Sequence, residues 1–176
     1  MSVSLSSAAI LTEPLHLVFI GIGSNNNPIE NIRSGLIQLR KLDEQLVVSK
    51  TYQSKAVGFE GPHFLNLVVR MQTPMAIPEL TKILKKIELT HGREPHLKKY
   101  SSRTLDIDVL TFDDLHGIHD GMVLPRPEIL VNAYVLQPFA ELAPNMLLSG
   151  SSTTMATLWE AFDRNSQPLV EMPVCW

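Results

Sequence analysis

Arg103-Thr104-Leu105-Asp106-Ile107-Asp108-Val109-Leu110 alternates polar and apolar side chains with the period of a β-strand, which puts both carboxylates on one face about 7 Å apart along it. What precedes this strand determines the sheet that receives it. Leu15 to Ile22 is an almost unbroken apolar run with β-branched and aromatic members, the pattern of a central strand buried on both faces. Gly21 and Gly23 then allow a tight turn. Asn27 is placed to cap the following helix, Pro28 suits its first position, and Glu30 stands where a capping-box acid belongs. Ile29, Ile32, Leu36 and Leu39 recur at helical spacing, so the first helix is predicted to run to about Lys41. Leu46 to Gln53 reads as a second strand. Phe64 to Met71 reads as a third, with Leu65, Leu67 and Val69 on the side opposite Phe64, Asn66 and Val68. The connection between them, residues 54–63, holds Gly58, Gly61 and Pro62 and is long enough to fold over a site. From Pro78, Leu80, Ile83, Leu84 and Ile87 mark one face of a second helix ended by Gly92.

The Asp-bearing strand therefore completes the order strand, helix, strand, strand, helix, strand. That order predicts an α+β, ferredoxin-like βαββαβ core, an antiparallel sheet with its helices packed on one face. A C-terminal extension follows. It comprises a short hairpin over Gly117 to Val123, a turn of helix over Pro127 to Leu130, a segment from Ala133 to Leu142 packing on the core, and a last helix over Ser151 to Phe162 docked by Trp159 and Phe162. At 176 residues with 44% hydrophobic content the chain suits one well-buried domain, expected over residues 13–176. Residues 1–12, mainly small and polar, read as a flexible N-terminal tail.

The formal net charge of −3 argues against general nucleic-acid binding, which needs a basic field. Basic charge is concentrated locally instead. Seven of the 15 Lys and Arg residues fall between Lys82 and Arg103, opposed there by Glu88 and Glu94, so a positive segment precedes the Asp pair. Cys175 is the single cysteine, which leaves no intrachain disulfide and no cysteine metal site. The first basic residue is Arg33, and the early apolar run is interrupted by Glu13, Pro14 and His16; neither a signal peptide nor a membrane span is expected. A cytoplasmic protein without membrane or nucleic-acid partners is the expectation, as a monomer rather than an oligomer.

An Asp-x-Asp on a strand lines a solvated face more often than it binds anything. If it lies in a cleft, however, its carboxylates need compensation, because a buried unpaired acid costs several kcal/mol, roughly. Mg²⁺ supplies it, taking one or two carboxylates and completing its shell with water and phosphate oxygens.

With the Asp pair, the upstream arginines and the early Gly-Ser-Asn turn placed, the chain resembles the 6-hydroxymethyl-7,8-dihydropterin pyrophosphokinases of folate biosynthesis. The resemblance runs from about Leu17 to Ala143 and is most specific over Arg103 to Leu110. Gly21-Ile22-Gly23-Ser24-Asn25, the Tyr52 loop ending in Phe64-Leu65-Asn66, and Ile87-Glu88-Leu89 before Gly92-Arg93 fall in the family's order. The resemblance implies transfer of pyrophosphate from ATP, as co-substrate, to the hydroxymethyl group of the dihydropterin, giving AMP. Two Mg²⁺ ions on Asp106 and Asp108 are implied, with Arg93 and Arg103 clamping phosphate oxygens in planar, bidentate fashion. It places Glu88, Lys98, Lys99, Tyr100 and Arg126 against ATP. Phe64 and Tyr134 would sandwich the pterin ring, and Ser54, Asn66 and backbone near Val57 would read its edge; an Asn side chain offers both donor and acceptor to an amide-like edge.

The chain departs from the family pattern in places. Ser101-Ser102 stand where Gly-Pro is common, Tyr100 where Trp is common, Pro95 where a second loop arginine is frequent, Arg126 at a usual His position and Asn132 at a frequent Arg position. These departures motivate an alternative, a catalytically silent relative that binds a pterin or nucleotide. Retention of both Asp residues with Arg93 and Arg103 counts against it. A nucleotide-sugar transferase using the Asp-x-Asp would ordinarily need a longer chain with a parallel nucleotide-binding sheet.

Overall fold

The computed structural model describes residues 14–92 and 104–176. The expected tail over 1–12 and the loop residues Arg93, Pro95, Lys98, Lys99, Tyr100, Ser101, Ser102 and Arg103 lie outside the described residues. In chain order the elements are β1 (His16–Ser24), α1 (Pro28–Arg40), β2 (Val47–Val48), β3 (Thr51–Ser54), β4 (Phe64–Thr73), α2 (Ile77–Thr90) and β5 (Asp106–Phe112). Then come β6 (Gly117–His119), β7 (Met122–Leu124), α3 (Glu128–Val131), α4 (Ala133–Leu142), α5 (Met155–Ala161) and β8 (Val170–Met172).

The main sheet runs β5-β1-β4-β3-β8, with β2 also pairing β4, and every pairing is antiparallel. Taking β2 and β3 as one interrupted strand, this is the ferredoxin-like order, with β8 added at one edge. β1 lies inside because its residues are apolar in both directions. Val18, Ile20 and Ile22 face a core built with Ile32, Leu36 and Leu39 of α1 and Leu80, Leu84 and Ile87 of α2. Phe19 faces the opposite core, where α4 packs through Val135, Leu136 and Phe139. The Phe19 and Phe139 rings stack with centroids 4.5 Å apart.

The core helices α1 and α2 pack on one face, as expected, and α4 with α5 of the extension covers part of the other. Two expectations are corrected. The strand expected over 46–53 is broken into β2 and β3, although both still pair with β4. Asn27 occupies the position before α1 but makes no side-chain cap bond, because its backbone is left-handed (φ 43°, ψ 54°). Asn31 instead donates through Nδ2 to the Asn26 carbonyl at 2.6 Å. The hairpin, the turn of helix at α3 and the last helix fall where the sequence puts them, and α4 spans the expected residues.

Candidate active site

β5 carries the Asp pair at the outer edge of the sheet. Asp106 pairs with Gly23 and Asp108 with Gly21, so the side chains across from both carboxylates are hydrogen atoms. Ile107 and Val109 point the other way into the α1/α2 core. Alternation is broken just beyond: Phe19 pairs with Thr111 and Ile20 with Val109, leaving Leu110 as a bulged extra residue. Its carbonyl accepts the Arg126 N–H at 2.8 Å, which returns the chain after β7 to the strand bearing the aspartates.

Three bonds tie together the start of β5, the Gly-Ser-Asn turn and the β3–β4 loop. Ser24 Oγ donates to the Thr104 carbonyl at 2.5 Å, joining the Gly-Ser-Asn turn to the Asp strand. Asn25 Nδ2 donates to the Pro62 carbonyl at 3.1 Å, joining the same turn to the β3–β4 loop. Glu88, 3% exposed, accepts the Ile107 N–H on Oε1 at 2.9 Å. An edge strand presents N–H groups with no neighbouring strand, and a carboxylate is a strong acceptor for one. Glu88 is thus neither an ordinary solvated helix acid nor among the residues lining the cavity described next; it holds the backbone between the two aspartates.

Beside this strand lies a cavity of about 590 Å³. Its floor is the sheet face bearing Gly21, Gly23, Asn66, Val68, Asp106 and Asp108. One wall is Ser54, Lys55, Val57 and Phe59 of the β3–β4 loop with Phe64, and the other is the segment from Arg126 to Val135, including Tyr134. Asn66 is 6% exposed and donates through Nδ2 to Ser54 Oγ at 3.0 Å. The Phe59 and Phe64 rings meet edge to face, centroids 6.3 Å apart. Arg126 Nη2 lies 3.0 Å from Glu128 Oε1, and Glu128 Oε2 is buried with no hydrogen-bond partner among the described residues.

Asp106, Asp108, Arg126, Ser54, Val57, Phe64, Asn66 and Tyr134 are therefore gathered around one cavity. Arg93, Lys98, Lys99, Tyr100 and Arg103 lie outside the described residues. Sequence reasoning passed over Lys55, Phe59 and Glu128 as lining residues. The first two sat in a segment read only as a loop, and Glu128 in one read only as a helical turn.

The donor set suits Mg²⁺. Asp106 is half-buried and Asp108 exposed on the cavity floor, and both offer hard oxygen ligands. Among the described residues no group of three or more His, Cys, Asp or Glu could cage a metal. Two carboxylates with room for water and phosphate oxygens match Mg²⁺ better than an ion that needs a complete protein cage.

No helix of the described residues is long and apolar enough to cross a membrane. Among curated proteins, the chain is 30% identical over 151 residues to a 2-amino-4-hydroxy-6-hydroxymethyldihydropteridine pyrophosphokinase of Synechocystis sp., covering 84% of this chain and 77% of that one. It is 34% identical over 135 residues to the Pseudomonas aeruginosa protein of that name, covering 74% and 83%. Among solved structures it is similar to a crystal structure of an HPPK-DHPS in complex with substrates, with TM-score 0.68 and 12% identity over 86% of this chain. The match spans 45% of that longer chain and bears on the fold alone. A family model covers residues 19–144, from the second core residue of β1 to just past α4, and by that match the chain belongs to the 7,8-dihydro-6-hydroxymethylpterin-pyrophosphokinase (HPPK) family.

Proposed function

We propose that this protein transfers the pyrophosphoryl group of ATP to the hydroxymethyl oxygen of 6-hydroxymethyl-7,8-dihydropterin, releasing AMP, as a step of folate biosynthesis. The observation that carries the reading is the placement of Asp106 and Asp108, with Asn66, on the floor of a cavity walled by Phe64 and Tyr134. A flat heterocycle held between the two aromatic side chains would present its hydroxymethyl group toward the carboxylate pair. Asn66 is held by Ser54, and its remaining amide atoms suit the donor–acceptor edge of a pyrimidinone.

The hydroxymethyl oxygen attacks the β-phosphorus and gives up its proton to solvent, and the bond from that phosphorus to the bridging oxygen breaks, AMP leaving with that oxygen. Such transfer depends on positioning and on positive charge where negative charge accumulates. Two Mg²⁺ ions held by Asp106 and Asp108 would neutralise phosphate oxygens and lower the pKa of the attacking hydroxyl. Arg126 reaches the same cavity, braced by Glu128, and is assigned to the triphosphate. Arg93 and Arg103 are assigned as its bidentate clamps, with Lys98, Lys99 and Tyr100 as further ATP contacts, on the sequence resemblance. Glu88 is assigned a part in ATP binding through the backbone it holds. Residues 13–176 are taken as one pyrophosphokinase domain, acting as a cytoplasmic monomer.

The test is AMP release from Mg-ATP with and without the dihydropterin, and with EDTA. AMP that needs both pterin and magnesium is expected, and Asp106→Asn or Asp108→Asn should abolish it with the fold intact. Near-normal turnover in either variant sinks the metal assignment. Pterin binding without AMP favours the silent relative.

A further inference from the structure

The segment after α5 follows the 19–144 span of the family match and reaches both walls of the cavity from outside it. Gln167 donates through Nε2 to the Val131 carbonyl at 2.8 Å and accepts the Ala133 N–H on Oε1 at 3.0 Å. These backbone groups flank Asn132, where α3 ends and α4 begins. Asn132 is extended there (φ −119°, ψ 115°), and its side chain makes no cap bond for α4. A helix start leaves its first N–H groups without intrahelical acceptors, and a helix end leaves carbonyls without donors. One glutamine amide from a distant segment serves both. A few residues later, β8 pairs with Thr51, Tyr52 and Gln53 of β3, and Trp176 Nε1 donates to Thr51 Oγ1 at 2.9 Å. The same strap thus holds the strand that ends at Ser54 and the helix that begins one residue before Tyr134.

We propose that Gln167 is a positioning residue for the pterin end of the site. By bridging Val131 and Ala133 it fixes the direction in which α4 leaves Asn132, and with it the stance of the Tyr134 ring over the cavity. This rests on the assignment of Tyr134 to the pterin. Gln167 does not line that cavity. Its influence therefore passes through the backbone of Asn132 and should separate the two substrates.

The experiment compares the full-length protein with Gln167→Met, similar in length but without either bond, in steady-state kinetics for both substrates. The KM for the dihydropterin should rise about tenfold, the size of effect expected when one or two hydrogen bonds no longer fix the geometry, while that for ATP stays within about twofold. An unchanged pterin KM overturns the proposal, and so does a parallel rise in both KM values, which general loosening would give. Gln167→Glu keeps an acceptor for the Ala133 N–H but sets a carboxylate against the Val131 carbonyl. It should also raise the pterin KM selectively, and it carries the test should Gln167→Met fail to fold; a wild-type pterin KM in the folded Glu variant overturns the proposal. Tyr134→Ala, measured alongside, distinguishes the two levels. If it weakens pterin binding and the Gln167 variants do not, the positioning role alone fails. If it leaves pterin affinity unchanged, the stacking assignment fails and the positioning role with it.

Discussion

Gly21 and Gly23 shape the site by the side chains they lack. A methyl group on Gly23 would lie 3.1 Å from Asn66 Oδ1 and 3.7 Å from a ring carbon of Phe64, the two groups assigned to the pterin. Glycine weakens a strand interior by roughly 0.5–1 kcal/mol relative to alanine, so the substitution has a local benefit to set against that contact. Gly23→Ala should therefore leave unfolding free energy level or slightly higher while pterin affinity falls about tenfold and ATP affinity holds, since small misplacements at a reacting centre are costly. Isothermal titration with each ligand and a denaturant melt would check this; equal losses for both ligands would show that the methyl acts on the fold. The carboxylate pair and the Phe64/Asn66 face were legible in the sequence because both obey a period of two. The bond from the Ile107 N–H to Glu88 was not, because its donor is a backbone group on another element, and side-chain pattern carries no record of main-chain donors.

At α4 the sequence was informative about extent and silent about placement. Its span is visible in the run from Ala133 to Leu142, whereas the face of the sheet it covers depends on Phe139 meeting Phe19. Both rings are at most 1% exposed. Phe139→Ala should lower the unfolding free energy by about 3–5 kcal/mol, read from the denaturant midpoint, and should also weaken pterin binding because α4 carries Tyr134. Leu84→Ala in α2, at 2% exposure on the opposite side, should cost about 2–5 kcal/mol with pterin affinity preserved in the folded fraction. A pterin effect of the same size in both variants would contradict this division between faces. β8 had no signal to find: a short, partly charged edge strand acquires its conformation from pairing with β3. The break between β2 and β3 was equally hidden, because residues 46–53 hold no glycine or proline to mark it.

The layers are joined across the site face by Tyr52, 2% exposed, whose hydroxyl donates to Glu141 Oε1 of α4 at 2.6 Å. Burial first, and then the Glu141 hydrogen bond, push the phenol pKa upward from its ordinary 10.0. Below that value the phenol is neutral in both folded and unfolded chains and adds no pH dependence. As pH rises above it, the unfolded chain loses the proton while the folded one retains it, so this contribution to stability declines through the alkaline range. Urea unfolding at increasing alkaline pH should show that decline in the wild type and a shallower one in Tyr52→Phe; identical slopes would mean that other groups set the alkaline limit. The β1 strand has a consequence for exchange with solvent deuterium. Bonded to β4 on one side and β5 on the other, its amides beneath the cavity should open only when the entire sheet opens, whereas those of residues 55–63 lie outside the ladder. Bound pterin should therefore slow exchange at Ile20 to Ile22 by the amount it adds to global stability, so that any further slowing in the loop measures the local tightening of the walls against the floor.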